Sequence, residues 1–309
     1  MNQEPIEPDS WSRWLLERRH GGDSRYKAVV RRDVERYRDR VLDAARLEAG
    51  MTFVDVGSGD GLLAFGAIDR VGPSLRVVLT DLSEPLLRHA EQLAIERGVR
   101  GQCRFLHAPA DRLEAIVDGT ADVVATRAVL AYVADKRAAF REFHRVLVPG
   151  GWLSIAEPIF RDEVLEVCAM TKLVHIQPEN RDMEFFRLLQ RYKAAQFPST
   201  EEQLRSSPIA NFSERDLVRW SMEAGFTKVH LELHIDQRPP VTDWELYLDI
   251  APHPAAPTLR EILAERFAAE ERSFFERVLR PTIESGGSVV IDRIASLAAE
   301  KKRSGDCAE

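Results

Sequence analysis

The segment Val54-Asp55-Val56-Gly57-Ser58-Gly59-Asp60-Gly61 constrains this chain more than any other. The run Met51 to Val56 before the glycines is short, mostly apolar and β-branched, which suits a buried parallel strand. Leu62-Leu63-Ala64-Phe65-Gly66-Ala67 after them starts a helix. Alternate glycines permit positive φ and remove the Cβ atoms that would hold a ligand away. The free amides of the new helix direct partial positive charge at any carboxylate or phosphate placed there. The pattern predicts a strand, a ligand cradle and a helix at the head of an α/β unit.

Spacing narrows the ligand. A dinucleotide fingerprint needs G-x-G-x-x-G, whereas this turn is G-x-G-x-G with Leu62 where the third glycine would fall. A P-loop needs a terminal Gly-Lys-Ser/Thr, which is absent. The acidic Asp55 inside the strand makes better sense beside a ligand that carries an ammonium group. Further strands follow in order. Arg76 to Thr80 leads to Asp81, at about the distance where a nucleoside-binding unit places an acid on ribose hydroxyls. Cys103 to His107 leads to Ala108-Pro109-Ala110-Asp111, and Ala121 to Thr126 leads to Arg127. A helix capped by Asp135 precedes a fifth strand ending in Glu157-Pro158.

This ordered series resembles the class I S-adenosylmethionine-dependent methyltransferases, whose first motif is an acidic strand end followed by G-x-G-x-G. The resemblance implies an α/β, Rossmann-like fold: a central, mostly parallel seven-stranded sheet with helices on both faces, plus a helical cap. It implies S-adenosylmethionine as cofactor, with Gly57, Gly59 and Gly61 against its methionyl part and Asp55 near its ammonium. Asp81 would accept from the ribose hydroxyls, and Ala110 with Asp111 would address adenine. Arg127 would lie near the methionyl carboxylate or the acceptor. Tyr26 and Tyr132 are candidates to enclose the transferring methyl. Glu157 leaves the carboxyl end of a strand, where ligands of open α/β sheets collect, and is a candidate to deprotonate or orient the acceptor. No general base stands out.

Organisation follows the same series. Residues 1–49 read as an N-terminal helical lid, broken at His20-Gly21-Gly22, and 50–158 as the cofactor-binding core. Residues 159–212 read as a helical acceptor-binding cap, with apolar and aromatic positions at three-to-four spacing. Residues 213–300 supply the last strands, the final one antiparallel, with a helical insertion at about 240–285. Residues 301–309 form a charged tail.

Composition excludes several classes. A net charge of −7 argues against strong attachment to nucleic acid. Arginine-rich residues 13–40 read as an amphipathic helix with Val30, Val34, Tyr37, Val41 and Ala45 inward, or alternatively as a positive rim for an anionic acceptor. No apolar run has membrane-spanning length, and the polar, acidic N-terminus is no secretory signal, so a cytoplasmic location is expected. Cys103, Cys168 and Cys307 lie too far apart in sequence to suggest a metal knuckle or disulfide framework, and no metal is expected. Thr126-Arg127-Ala128-Val129 stands where amino-methylating enzymes of nucleobases place an Asn/Asp-Pro-Pro-Tyr/Phe turn, and Arg127 would repel a metal there. A small-molecule methyl acceptor remains. A homodimer is compatible with this reading. The rival reading is a protein that binds the cofactor without transferring its methyl group.

Overall fold

Phe53 and Val54 leave the first strand on opposite faces, and both are fully buried. The same alternation recurs at Val123 and Val124 in the fourth strand, so the sheet separates two cores. The structure is a computed structural model that describes residues 7–19, 21–176, 183–287 and 290–303. Its strands are β1 (Thr52–Val56), β2 (Arg76–Asp81), β3 (Cys103–His107), β4 (Ala121–Arg127), β5 (Leu147–Pro158), β6 (Phe226–Arg238) and β7 (Val290–Lys301). They form one seven-stranded sheet in the order β3-β2-β1-β4-β5-β7-β6. β1 through β5 pair in parallel, whereas β7 runs antiparallel to both β5 and β6. The order reverses between β1 and β4, which opens a crevice at their carboxyl ends.

The chain begins with α1 (Ser10–Arg13), which runs on as a π-helical turn to Arg18, followed by α2 (Ser24–Ala44). Between strands lie α3 (Leu62–Val71), α4 (Glu84–Glu96) and α5 (Lys136–Val146). Ser83 caps α4 by accepting from the Leu86 amide, and Asp135 caps α5 through the Ala138 amide, as their positions in sequence predict. On one face, Val41 and Leu42 of α2, Leu63 of α3 and Leu87 of α4 pack on Phe53, Leu79 and Val123. On the other, Phe140 and Phe143 of α5 pack on Val54, Leu153 and Ile155. α9 (Glu214–Glu223) joins that second core through Leu217 and Trp220; it starts in a capping box of Ser213 and Asp216 and ends at Gly225, φ +100°.

The remaining helices are α6 (Arg161–Ile176), α7 (Glu184–Gln196), α8 (Glu201–Ser206), α10 (Trp244–Asp249), α11 (Leu259–Arg266) and α12 (Ala269–Glu284). Two expected units prove to be one. Leu188 and Tyr192 of α7 share a third core with Trp244, Ile262, Phe275 and Ile283, so part of the cap expected at 159–212 and the insertion expected at 240–285 form a single helical body.

The N-terminal expectation also changes. Val30, Tyr37, Val41 and Ala45 are buried, as the amphipathic reading requires. α2 is therefore a layer of the core, whereas Leu15 in the segment 7–19 lies over Gly59. Four α2 arginines are ion-paired, Arg31 with Glu35, Arg36 and Arg40 with Asp236, and Arg38 with Asp39. At the other end, Lys301 still belongs to β7, and its Nζ donates to the carbonyls of His144 and Leu147 at 2.7 Å each. His20 and Cys307 lie outside the described residues. No described helix is long and apolar enough to cross a membrane.

Candidate functional site

β1 ends in the glycine turn, with Gly57, Gly59 and Gly61 at φ +67°, +55° and +82°. The turn is closed by Gly61 N donating to Ser58 O at 2.8 Å, and is tied to β2 by Ser58 N donating to Thr80 O at 2.9 Å. A Cβ on Gly57 would come within 2.3 Å of Val129 Cγ2, and one on Gly59 within 3.0 Å of Leu15 Cδ2. The glycines thus admit backbone conformation and close approach together. Asp55 is 1% exposed; its Oδ2 accepts from the Ala64 amide at 3.0 Å, fastening the start of α3 behind the turn, so it does not stand out beside a ligand's ammonium as the resemblance implies. Burial pushes its carboxyl up to about 8.

Asp81 reaches the same turn from β2. Its Oδ2 accepts from Gly59 N and its Oδ1 from Ser83 N, both at 2.8 Å. Burial raises its carboxyl above the ordinary range even though those amides pull it down. Ala110 is buried and Asp111 half-buried in the turn after β3. Ser58 Oγ and Thr80 Oγ1 are buried here with no hydrogen-bond partner among the described residues.

Arg127 closes β4 beside the crevice, half-buried, with a buried Nε that has no partner among the described residues. Burial, and then the like charge of Arg19, lowers it to about 10. After it, Ala128 takes φ +55°, unusual for a residue with a side chain, while its amide donates to Ala156 O at 2.8 Å. That turn of backbone sends the next amides inward to Glu157.

Glu157 requires a correction. It is fully buried, and its carboxylate accepts from Thr126 Oγ1 (2.9 Å), Val129 N (3.0 and 3.1 Å) and Ala131 N (3.3 Å). Burial raises its carboxyl in spite of these donors. With its oxygens committed to the loop after β4, Glu157 shapes the site from beneath and presents no oxygen to an acceptor.

Residues 7–19 form the roof. Trp11 meets the Tyr132 ring edge-on at 5.1 Å, and Leu15 lies over Gly59. Asp9 caps α1 through the Ser12 amide at 2.8 Å. Trp14 Nε1 donates to Ala251 O at 3.0 Å, and Arg18 pairs with Glu261, so the roof is fastened to the helical body. Tyr132 is half-buried, and burial raises its hydroxyl. Tyr26 sits lower on α2, where the charges of Arg238, Asp292 and Arg19 act on it. The sequence reading brought out neither Trp11 nor Arg19. Arg19 is a half-buried cation held down by burial and acted on by Tyr132, Asp60 and Asp292. In the sequence it is one arginine among those of the basic stretch 13–40, and nothing there singles it out.

Beyond the Trp11–Tyr132 pair lies a cavity of about 670 Å³ between the roof and the helical body. Its walls include Trp11, Tyr132, Phe197, Pro208, Ile209 and His253, and among the described residues no Asp, Glu, Lys or Arg lines it. Among the described residues no cluster of three or more His, Cys, Asp or Glu could hold a metal.

Comparisons with known proteins concern the domain and fold that carry this site. A family model described as a methyltransferase domain matches residues 47–203. The ubiquinone/menaquinone biosynthesis C-methyltransferase UbiE of Idiomarina loihiensis is 34% identical over 116 residues, 38% of this chain and 46% of that protein. The chain thus matches less than half the length of this curated relative. Among solved structures, a protein of Galdieria sulphuraria provisionally assigned as a sarcosine dimethylglycine methyltransferase aligns at TM-score 0.52 and 14% identity, covering 95% of this chain and 99% of that one. The YcgJ protein of Bacillus subtilis aligns at TM-score 0.51 and 18% identity, over 87% and 99%. These two likenesses concern the fold.

Proposed function

Since the chain belongs to the class I S-adenosylmethionine-dependent methyltransferase family, we propose that it transfers a methyl group from S-adenosylmethionine to a small-molecule acceptor. The observation that carries this reading is the meeting of the glycine turn, Asp81 and the buried, unpartnered Arg127 Nε at the reversal of strand order. These residues fit the cofactor. Three positive-φ glycines leave bare backbone for its methionyl part, Arg127 offers a cation to its carboxylate, and Asp81 offers acceptors to its ribose. We assign Ala110 and Asp111, in the turn after β3, to the adenine edge.

The cofactor supplies an activated methyl carbon. The protein must position the acceptor, exclude water and manage one proton. Residues 7–19 roof the crevice, and we read Gly21 and Gly22, at φ +55° and +72°, as the hinge that lets the roof open. Tyr132 stands between crevice and cavity, and a cavity of about 670 Å³ suits a small organic molecule.

Equilibrium dialysis against S-adenosylhomocysteine, followed by transfer of labelled methyl groups into a metabolite extract, tests the reading. Retention of the cofactor product and label in a small organic product are expected. Absence of retention overturns the assignment. Retention without any transfer favours the binding-only rival.

A further inference from the structure

β6 is the outermost strand on its side of the sheet and pairs with β7 alone. After a register shift between Thr227 and His230 the pairing is regular from His230 to Arg238, so neither a bulge nor a proline blunts that stretch. Among the described residues no backbone hydrogen bond from another element meets its outer side. An edge of this kind is a template for a further strand. Its two faces differ. Val229 and Leu231 pack on the core that α9 joins, whereas Leu233 and Ile235, farther along the same face, are 42% and 63% exposed. The opposite face carries His230, Glu232, His234 and Asp236 in succession. Glu232 lies 3.3 Å from each of the two histidine rings, and Tyr37 donates to Asp236 at 2.7 Å.

We propose that this edge is a dimer surface, on which β6 of a second copy of the chain adds antiparallel about a two-fold axis that passes through Leu233 normal to the sheet. Directly opposed residues of a continuous sheet share a face, so such an axis must pass through a residue and not between two. With the axis at Leu233, Glu232 of one copy opposes His234 of the other, and His230 opposes Asp236, so each acid meets an imidazole. On the other face Leu231 opposes Ile235 and the two Leu233 side chains meet, which joins the exposed apolar residues of both copies into one stripe. Moving the axis by one residue opposes Glu232 to itself or to Asp236, and like charges facing each other are destabilising. Toward the ends Lys228 opposes Arg238, and each already has its own acid, Glu300 and Asp292. A strand edge with its flanking side chains is a small interface, so association is reversible and in the micromolar range. None of this depends on the methyltransferase reading.

Sedimentation equilibrium of the full-length protein across the micromolar range tests the proposal. The mass should rise with concentration from 35.0 kDa toward twice that value and stop there. Leu233→Lys sets two ammonium groups against each other on the axis and should weaken the dimer about tenfold to a hundredfold, with the circular dichroism of the fold unchanged because Leu233 is exposed. Cysteines read the register. In a Cys307→Ala background, with Cys103 and Cys168 buried, Leu233→Cys brings two thiols to an opposed-pair Cα separation of about 4.5–5.5 Å, within disulfide reach. Gln237→Cys leaves them about 27 Å apart. Mild oxidation should link L233C into dimers and leave Q237C as single chains. A mass that stays at 35.0 kDa, growth beyond two copies, association that L233K leaves intact, or Q237C cross-linking as fast as L233C would each overturn the proposal. Should L233K fail to fold, the wild-type mass and the cysteine pair decide alone.

Discussion

The glycine turn permits a quantitative prediction because two of its demands on residue 57 can be separated. Gly57→Ala places an L-residue at φ +67°, which costs about 1–2 kcal/mol wherever it occurs. It also drives a Cβ to 2.3 Å from Val129 Cγ2, 3.0 Å from Cγ1 and 3.2 Å from Cβ. A β-branched side chain fills two of the three staggered positions, so rotation about χ1 cannot clear the overlap. Val129 cannot retreat freely, because its amide is held by both oxygens of Glu157. Overpacking of this kind adds about 1–3 kcal/mol, for a total near 2–5 kcal/mol. Gly98 supplies the control: at φ +69° it has nothing within 4 Å of an added Cβ, so Gly98→Ala should cost only the backbone share. Val129→Ala removes the two nearest methyls and should recover the steric share alone. Urea denaturation of G57A, V129A, G57A/V129A and G98A gives the cycle, with an expected coupling of about 1–3 kcal/mol. A coupling below about 0.5 kcal/mol, with G57A no worse than G98A, would refute the claim that Val129 is packed against the turn.

Four further outcomes follow from the same geometry. Asp81→Asn should weaken S-adenosylhomocysteine binding by about tenfold to a hundredfold in calorimetry; unchanged affinity removes Asp81 from the ribose. Glu157→Gln sets an NH₂ against donors that now meet an oxygen and should lower stability by about 2–6 kcal/mol in denaturant melts, whereas a neutral effect on folding with lost activity would restore the catalytic reading of Glu157. Asp55 titrates at about 8 when folded and about 4 when unfolded, so its stabilising contribution is complete below about pH 4 and is lost as pH rises toward 8. Stability curves should therefore show Asp55→Asn gaining on the wild type between about pH 5 and 8, and parallel curves would contradict the burial of that carboxyl. Trp11→Ala removes an aromatic pair of about 0.5–1.5 kcal/mol from the roof, so stopped-flow release of S-adenosylhomocysteine should quicken about two- to tenfold; an unchanged rate would detach the roof from cofactor retention.

The features that were legible in the sequence are local ones. The glycine turn, the Ser83 and Asp135 caps and the Ser213 start of α9 each need only neighbours a few residues away, and residue type is then enough. The antiparallel last strand was legible from its place in the motif series. What stayed hidden depends on distant partners. Leu188 meets Phe275 and Ile283 only after folding, so cap and insertion read as separate units. His253 sits in a stretch without motif or periodicity, and its tautomer is set by a carbonyl 57 residues away. Trp11 and Arg19 acquire a role only because residues 7–19 fold back over the turn.

The misreading of Glu157 has a physical lesson, because the sequence did hold the corrective signal. A position at the carboxyl end of a parallel strand suggests ligand chemistry, yet period two decides which way the side chain goes. Leu153, Ile155 and Glu157 share one face of β5, and the first two belong to the α5 core. A carboxylate in phase with two core residues is directed inward, where it persists only if backbone donors meet it. The donors come from residues 129 and 131, and Ala128 must adopt φ +55° to turn them that way. Asp55 repeats the logic on the opposite face, in phase with Phe53 and bonded to the Ala64 amide. Two buried acids thus fix the two loops that meet at Gly57 and Val129, and the groups left to face ligands are those the loops carry, not the acids that hold them.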